Sequence, residues 1–389
     1  MKRSHSTPDA SSTPPPCLFI SDSESDSDLF WVTDFLVGDS LIYVELDGRK
    51  ILLVSDLEHG RASKDARVDE VVSMSPFEER LRADGTAVTL AHIADLFLRE
   101  RLRGAPSDVE FAVPSSFSHF HAKRLIELGY RLNPREAPFY RDRVVKTPAE
   151  IEAIAASQKA AEEAMAFVVE TIRQSEIRDG LLWRGETPLT ADWLRREAHK
   201  LLLELDCHAV NTIIAGGDQG CDPHQRGTGP LPAHRTIIID IFPRSLATRY
   251  WGDISRTVVR GRVSAAVRKL YADVLAAQEH AIAALRDGVC GQAVHQSVLD
   301  LFASRGQVTE SRNGTKVGFI HSTGHGVGLD IHEAPRIGRT KCEIRAGHTV
   351  TIEPGLYYPG VGAVRLEDLL VVEAGGARNL TSFPKDLAV

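Results

Sequence analysis

The chain has 389 residues, enough for two or three domains of about 150 residues, and can bury a core without disulfides or structural metals. Lysine and arginine number 46 against 53 acidic residues, and the net charge of −7 argues against a nucleic-acid-binding protein, which needs basic residues to neutralise phosphates. The hydrophobic fraction of 43% is ordinary for a soluble protein, and no uncharged apolar run approaches the roughly 18 residues of a membrane span.

The five cysteines lie far apart in the sequence, and no two of them form a Cys-x-x-Cys motif. An odd, scattered set argues against a disulfide framework and against a zinc site built from thiolates, so we expect a reducing, cytoplasmic environment. Residues 1–16 are mostly serine, threonine, proline and charged residues, without the apolar segment of a secretory signal. We expect this segment to be a disordered tail.

Residues 17–146 contain short apolar runs separated by aspartate, glycine and serine, a pattern typical of β-strands. Helical periodicity appears later in this segment, between further strand-like runs. The predicted strands cover residues 17–20, 29–36, 41–48 and 51–56, and the predicted helices cover residues 90–103 and 116–128. This segment is therefore predicted to form a small α/β domain.

A second domain is predicted to begin at residue 147. Thr147 is a helix N-cap, Pro148 suits the first helical position, and Glu150 completes a capping box. Apolar residues then recur with the 3.6-residue period of an amphipathic helix. The predicted helices cover residues 148–174, 190–205, 264–286 and 291–305, and a strand-rich segment covers residues 318–380. Residues 147–389 are thus predicted to form an α+β domain.

Four carboxylates interrupt apolar strand-like runs of this second domain. Asp240 and Asp253 flank one turn, and Glu353 and Glu367 flank another. A buried charge is costly unless it is paired, neutralised or bound to a cation, so carboxylates in such runs are unusual. The two pairs have nearly the same spacing, 13 and 14 residues. This spacing predicts two related halves that each contribute two inward acids.

A glycine-rich segment with three histidines lies between the two acidic pairs. It reads His321-Ser-Thr-Gly-His325-Gly-Val-Gly-Leu-Asp-Ile-His332-Glu333. Its glycines permit close approach of the backbone, and a neutral imidazole is a common metal ligand. Four carboxylates and one imidazole would balance two divalent cations. An oxygen-rich ligand set favours Mn²⁺, Co²⁺ or Fe²⁺, and Zn²⁺ is also compatible. We therefore predict a site for two metal ions.

The second domain resembles the pita-bread metallopeptidases of family M24. In order along the chain, the residues that resemble the five ligands of the family's dinuclear site are Asp240, Asp253, His325, Glu353 and Glu367. The surrounding motifs match as well: Asp222-Pro-His224, the glycine-rich histidine segment, Glu353-Pro-Gly-Leu-Tyr-Tyr, and Gly362-Ala-Val-Arg365-Leu-Glu367-Asp. The resemblance runs from Arg143 to the C terminus. It implies a pita-bread catalytic domain.

The domain that precedes this one indicates which branch of the family the sequence resembles. Residues 17–146 resemble, more weakly, the amino-terminal domain of the prolidase, aminopeptidase P and creatinase branch. This branch implies a homodimer that acts on Xaa-Pro dipeptides or short peptides. Of the histidines, the resemblance implies that His224 and His332 contact the substrate as hydrogen-bond or proton partners, while Glu353 accepts a proton from water in addition to binding metal. His321 is a further candidate for substrate binding.

Strand parity suggests roles for two further residues. Residues two apart in a strand share a face, so Thr257 lies on the face of Asp253 and is predicted to orient that carboxylate. By the same rule Arg365 shares a face with Glu367. Arg365 is therefore a candidate for contact with the substrate or for support of the metal ligands, and the alternative is an ordinary surface arginine.

The sequence predicts a metal-dependent exopeptidase that cleaves the Xaa-Pro bond. Two metal ions can share a water, lower its pKa until a bridging hydroxide forms, and polarise the carbonyl under attack. The alternative from another class is a non-catalytic pita-bread binding protein, and five filled ligand positions count against it. A creatinase-like amidinohydrolase is disfavoured because that branch lacks the metals, and a methionine aminopeptidase because it usually lacks the first domain. Dipeptidase and aminopeptidase activities both remain open.

Two positions depart from the family pattern. Asp240-Ile241-Phe242 stands where Asp-x-Gly is common, and Gln225 stands where an aromatic residue often follows the upstream histidine. We expect the first difference to reshape one wall of the pocket. We expect the second to affect the fit of the substrate rather than metal binding.

Overall fold

The computed structural model describes residues 15–312 and 314–389. The described residues divide into two compact units, one that ends at Arg141 and one that covers residues 142–389, whereas the sequence suggested a boundary after residue 146. Most of the predicted disordered tail, namely residues 1–14, lies outside the described residues. No helix in the described parts of the chain is both long enough and apolar enough to cross a bilayer.

A six-stranded mixed sheet forms the centre of the first unit. Its strands are β1 (Cys17–Ser21), β2 (Leu41–Leu46), β3 (Arg49–Val54), β4 (Glu70–Ser73), β5 (Glu110–Pro114) and β6 (Arg131–Arg135), in the spatial order β4-β3-β2-β1-β5-β6. Its helices are α1 (Ser27–Thr33), α2 (Asp56–Asp65), α3 (Ser75–Ala83), α4 (Leu90–Arg101) and α5 (His119–Glu127). Apolar side chains are buried in two clusters in this unit.

One predicted strand of the first unit is wrong. Much of the run at residues 29–36 lies in helix α1. The side chain of Asp26 caps this helix by accepting a hydrogen bond from the Leu29 N–H at 2.9 Å, and Asp34 ends it in the left-handed conformation. Acidic residues therefore cap both ends of the apolar run, and these local interactions outweigh its β-propensity.

The second unit is built on four long helices and many short strands. The helices are α6 (Pro148–Gln174), α7 (Ala191–Glu204), α8 (Ala265–Ala284) and α9 (Gly291–Ser304). The capping box forms at the start of α6, where the Thr147 hydroxyl accepts from the Glu150 N–H at 3.3 Å and the Glu150 carboxylate accepts from the Thr147 N–H at 2.8 Å. Local capping signals thus define where this helix begins.

The strands of the second unit form several small sheets. The strands before α8 are β7 (Glu176–Arg178), β8 (Leu181–Arg184), β9 (Thr187–Pro188), β10 (Cys207–Ala209), β11 (Ile213–Gly216), β12 (Thr236–Ile241), β13 (Pro243–Ser245) and β14 (Ile254–Val259). The strands after α9 are β15 (Glu310–Arg312), β16 (Thr315–Val317), β17 (Gly324–Gly326), β18 (Glu333–Ile337), β19 (Thr349–Ile352), β20 (Gly355–Tyr358), β21 (Gly362–Arg365), β22 (Asp368–Glu373) and β23 (Gly376–Asn379).

Two antiparallel sheets position the functional region of the second unit. One has the order β11-β12-β14, and the other has the order β18-β17-β19-β22-β23. Helices α6 and α7 pack in one hydrophobic cluster with the first sheet, and α8 and α9 pack in another with the second sheet. The sheets meet where the Glu367 N–H donates to the Ser255 carbonyl at 3.0 Å. The predicted mixed α+β architecture is thereby confirmed.

Candidate metal centre

The four candidate carboxylates lie at or near the ends of paired strands. Asp240 lies in β12 opposite Ser255 of β14, and Asp253 immediately precedes β14. Glu353 directly follows β19 and Glu367 directly precedes β22, and these two strands pair with each other. The chain between the two glutamates forms the separate β20–β21 hairpin rather than a simple turn.

Three of the five predicted ligands lie together in the interior. Ligand atoms of Asp253, His325 and Glu367 all lie within 4.8 Å of one another, and all three residues are buried. His325 Nε2 lies 3.6 Å from Asp253 Oδ2, 3.6 Å from Glu353 Oε1 and 3.9 Å from Glu367 Oε1. One imidazole nitrogen therefore faces three carboxylates, as a shared metal position requires.

The orientation of His325 suits a metal ligand. Its Nδ1 lies 3.1 Å from the Gly326 carbonyl, so a proton on Nδ1 leaves the Nε2 lone pair directed at the acids. The flanking glycines permit this placement, because a Cβ at Gly324 would lie 1.9 Å from the Thr351 oxygen and one at Gly326 would lie 2.3 Å from the Ala334 oxygen. Any larger residue at these two positions would displace the strand that holds His325.

The surroundings of this centre disfavour the charged forms of three of its carboxyl groups and of its histidine. Burial is the largest cause that raises the pKa values of Asp253, Glu353 and Glu367, and repulsion by neighbouring acids, among them Asp240, adds to it. Burial also lowers the pKa of His325 to about 3. A neutral imidazole among acids that repel one another is an environment in which bound cations would relieve the repulsion.

Asp240 supplies a separate test of whether a cation fits this centre. Its Oδ2 accepts a hydrogen bond from Arg365 Nη2 at 2.6 Å, whereas its Oδ1 is buried and has no hydrogen-bond partner among the described residues. Buried carboxylate oxygens are normally satisfied, so an orphaned one calls for an explanation. A divalent cation would satisfy it, and the donor set of oxygens and one imidazole nitrogen is suited to such an ion.

Arg365 lies among the predicted ligands, on the face that strand parity assigned to it. Its Nε donates to the Ser255 hydroxyl at 3.0 Å, and its Nη1 lies 3.2 Å from both the Pro223 carbonyl and the Tyr357 hydroxyl. The Ser255 hydroxyl in turn donates to Glu367 Oε2 at 2.9 Å. Arg365 therefore supports Asp240 directly, and it supports Glu367 through Ser255.

Thr257 has a different partner from the one that strand parity suggested. Its hydroxyl donates to the Arg365 carbonyl at 2.9 Å and accepts from the Arg365 N–H at 3.0 Å. The Asp253 N–H instead donates to the side chain of Gln158 at 2.7 Å. Strand parity cannot show that β21 lies against Thr257 and engages its hydroxyl.

The three other predicted histidines occupy different environments. His332 stacks edge-on against His325 with ring centroids 4.4 Å apart, and His332 and His224 are both exposed. His321 is half-buried, and its two ring nitrogens lie 2.8 Å from the Ser322 carbonyl and 2.8 Å from the Tyr357 hydroxyl. Burial lowers the pKa of His321 to about 3. His321 is thus held by protein groups, whereas His224 and His332 are accessible to a substrate.

A buried ion-pair cluster beside His332 was not predicted from the sequence. Lys146 and Glu333 form a buried salt bridge, and Arg143 Nη1 lies 3.5 Å from Glu333 Oε2. Arg143 also pairs with Asp330. These contacts hold the end of the glycine-rich segment. The sequence has no signal for them, since the paired residues are 187 positions apart.

Solved structures with the same fold include two peptidases. The prolidase from Pyrococcus furiosus aligns with a TM-score of 0.76 at 23% identity, covering 95% of this chain and 97% of that one. The X-Pro aminopeptidase from Thermotoga maritima aligns with a TM-score of 0.77 at 21% identity, covering 96% of this chain and 97% of that one. The fold is thus the one expected from the pita-bread resemblance.

The sequence comparison identifies the family. Residues 151–374, more than half of the chain, match metallopeptidase family M24, and the chain belongs to this family. Among curated relatives, the Xaa-Pro dipeptidase of Pyrococcus furiosus is 32% identical over 247 residues, which are 63% of this chain and 65% of that relative. The match thus spans just under two thirds of that relative's length. The family resemblance seen in the sequence is confirmed.

Proposed function

We propose that the protein is an exopeptidase that uses two divalent metal ions, preferably Mn²⁺, to hydrolyse the Xaa-Pro bond at the N terminus of dipeptides or short peptides. The observation that carries this proposal is the buried group of Asp253, His325 and Glu367, whose ligand atoms lie within 4.8 Å of one another. The substrate class is supported by the relative named Xaa-Pro dipeptidase.

In this proposal five residues bind the metal ions, and one of them also accepts a proton. The metal ligands are Asp240, Asp253, His325, Glu353 and Glu367. Bound metal ions would supply an activated water and polarise the peptide carbonyl. Glu353 accepts the proton of the water, and its carboxylate lies 3.6 Å from His325 Nε2 at the centre where that water would be held.

His224 and His332 are the proposed substrate contacts. Both side chains are exposed, and the ring of His332 lies against the proposed ligand His325. An imidazole can donate a hydrogen bond to a developing negative charge, or donate to the leaving nitrogen. The leaving nitrogen must gain a proton as the C–N bond breaks, and a nearby histidine can pass to it the proton that Glu353 takes from water.

The proposed reaction can be tested with reconstituted protein. We expect the protein prepared with Mn²⁺ to hydrolyse an Xaa-Pro dipeptide or an Xaa-Pro-Yaa tripeptide much faster than the matching Xaa-Ala peptide. Removal of metal by a chelator should abolish turnover, and added Mn²⁺ should restore it. The ratio of dipeptide to tripeptide turnover assigns the enzyme as dipeptidase or aminopeptidase. Absence of turnover on both proline substrates at full metal content would contradict the proposal.

The proposed metal content gives a second test. Wild-type protein should bind two Mn²⁺ per chain, and Glu367→Ala should bind fewer, because it removes one carboxylate from the group around His325 Nε2. Metal analysis after reconstitution and desalting measures this. Glu373→Ala is the matched control, since Glu373 is an exposed residue at the end of strand β22. Two metals bound to Glu367→Ala with wild-type affinity would remove Glu367 from the ligand set.

The assembly and location of the protein also belong to this proposal. We expect a homodimer, on the family resemblance, and sedimentation velocity at micromolar concentration tests it: a fully active monomer would contradict the dimer. A reducing cytoplasmic location is supported by the five cysteines, all of which are free.

A further inference from the structure

A glutamine on the long first helix of the second unit reaches the candidate metal centre. Gln158 of α6 is completely buried. Its Oε1 accepts a hydrogen bond from the Asp253 N–H at 2.7 Å. A fully buried amide on a helix face formed mostly of apolar residues is unusual, and both ends of its side chain need a partner.

The other end of this amide is bound to a threonine near the C terminus. Gln158 Nε2 donates to Thr381 Oγ1 at 2.8 Å. The same Thr381 oxygen accepts from the Leu369 N–H at 2.9 Å, and Thr381 is itself buried. Leu369 lies in strand β22, two residues after Glu367. The hydrogen bonds therefore form one continuous chain from the backbone of Asp253 to the strand that begins beside Glu367.

This series of hydrogen bonds connects two residues that precede strands of different sheets. Asp253 precedes β14 of the three-stranded sheet, and Glu367 precedes β22 of the five-stranded sheet. Their carboxylates must nevertheless lie within a few ångströms of each other and of His325 to share an ion. Because both acids are buried and repel each other, their side chains alone would tend to separate. The link through Gln158 and Thr381 opposes that separation, in addition to the backbone hydrogen bond from the Glu367 N–H to the Ser255 carbonyl.

We infer that Gln158 and Thr381 are positioning residues, which fix the separation of Asp253 and Glu367 and thereby set the affinity of this centre for a divalent cation. The inference rests on the proposed metal-binding function and deepens it. Hydrogen bonds that orient ligands from outside the ligand set typically contribute about 10–100-fold to metal affinity, and we expect an effect of this size.

Two substitutions of nearly unchanged volume test the inference. Gln158→Met leaves the Asp253 N–H without an acceptor, and Thr381→Val removes the oxygen that Gln158 and Leu369 share. Mn²⁺ alone is titrated calorimetrically into metal-free full-length protein, with no substrate present. Both variants should bind Mn²⁺ about 10–100-fold more weakly than wild type. Thr381→Ser keeps the hydroxyl and should bind with near wild-type affinity.

Controls separate this role from general stability. Thr171→Val is the matched control, because the Thr171 hydroxyl lies on the same helix and, among the described residues, bonds to the Phe167 carbonyl of its own helix. It should leave Mn²⁺ affinity unchanged. Circular dichroism shows which variants are folded, and if Gln158→Met does not fold, Thr381→Val and Thr381→Ser still provide the comparison.

The outcomes are distinct. If folded Gln158→Met and Thr381→Val bind Mn²⁺ as tightly as wild type, the positioning role is wrong while the proposed function stands. If wild-type protein itself does not bind Mn²⁺, the proposed function and the inference fail together. Weak Mn²⁺ binding by Gln158→Met and Thr381→Val, together with near wild-type binding by Thr381→Ser, supports the inference. A loss of packing alone would lower thermal stability, but it would not make Mn²⁺ affinity depend on whether residue 381 carries a hydroxyl.

Discussion

Glu353→Gln is expected to lower kcat on an Xaa-Pro dipeptide by about 10²–10⁴-fold, the usual contribution of a positioned proton acceptor. The amide has the same size as the carboxylate, but it cannot take a proton from water. The backbone at this position should stay in place, because the Glu353 N–H donates to the Thr323 carbonyl at 2.7 Å. The loss should therefore appear chiefly in kcat rather than in KM.

Because Glu353 is also a proposed ligand, its variant must be assayed with its metal content measured in the same sample. Glu279→Gln, which changes an exposed glutamate of helix α8, controls for the substitution itself. If Glu353→Gln contains two metal ions and keeps more than a tenth of the wild-type kcat, another group must accept the proton.

Arg365→Ala is expected to reduce kcat/KM to a similar extent on Xaa-Pro dipeptide and Xaa-Pro-Yaa tripeptide. A guanidinium has five N–H donors, and four of them are needed for the contacts to Ser255, Pro223, Tyr357 and Asp240. A bidentate contact with a substrate carboxylate would require some of these bonds to break. Support for Asp240 is independent of the length of the substrate, so both substrates should be affected alike.

The same variant should be less stable without metal. Removing one partner of a buried ion pair costs about 3–5 kcal/mol, because the remaining charge is left unpaired. Here the unpaired charge would be Asp240, beside three other acids. Urea unfolding of metal-free protein measures this, with Arg378→Ala, a change at an exposed arginine, as control. A loss confined to the dipeptide would show instead that Arg365 binds the carboxylate of proline.

The sequence was most informative where the determining interactions are local. The start of helix α6 was predicted correctly because Thr147, Pro148 and Glu150 form a capping box within four residues. The run at residues 29–36 has the aromatic and β-branched residues typical of a strand, but Asp26 and Asp34 cap it and most of it is helical. The candidate ligands could be recognised from the sequence because a carboxylate in an apolar strand is costly to bury. Such a carboxylate indicates a bound cation or a charged partner even before the structure is known.

The hydrogen-bond partners that could not be predicted from the sequence lie in segments that are distant along the chain. The partners of Thr257 and Arg365 depend on how β21 crosses β14, which no periodicity encodes. The sequence does carry a signal for Gln158. It stands four residues after Ile154 and three before Ala161, within the apolar stripe of α6. A polar residue in such a stripe predicts a specific buried partner, although it cannot say which one.

The ion pairs of Arg143 and Lys146 determine where the second unit can be cut as a recombinant fragment. A fragment that begins at residue 147, where the helix cap suggests a boundary, would lack both cations and leave Glu333 as an unpaired buried carboxylate. That defect costs about 3–5 kcal/mol, a large part of the stability of an ordinary domain. A fragment that begins at residue 142 keeps both pairs. Expression trials of the isolated second unit should therefore start upstream of Arg143.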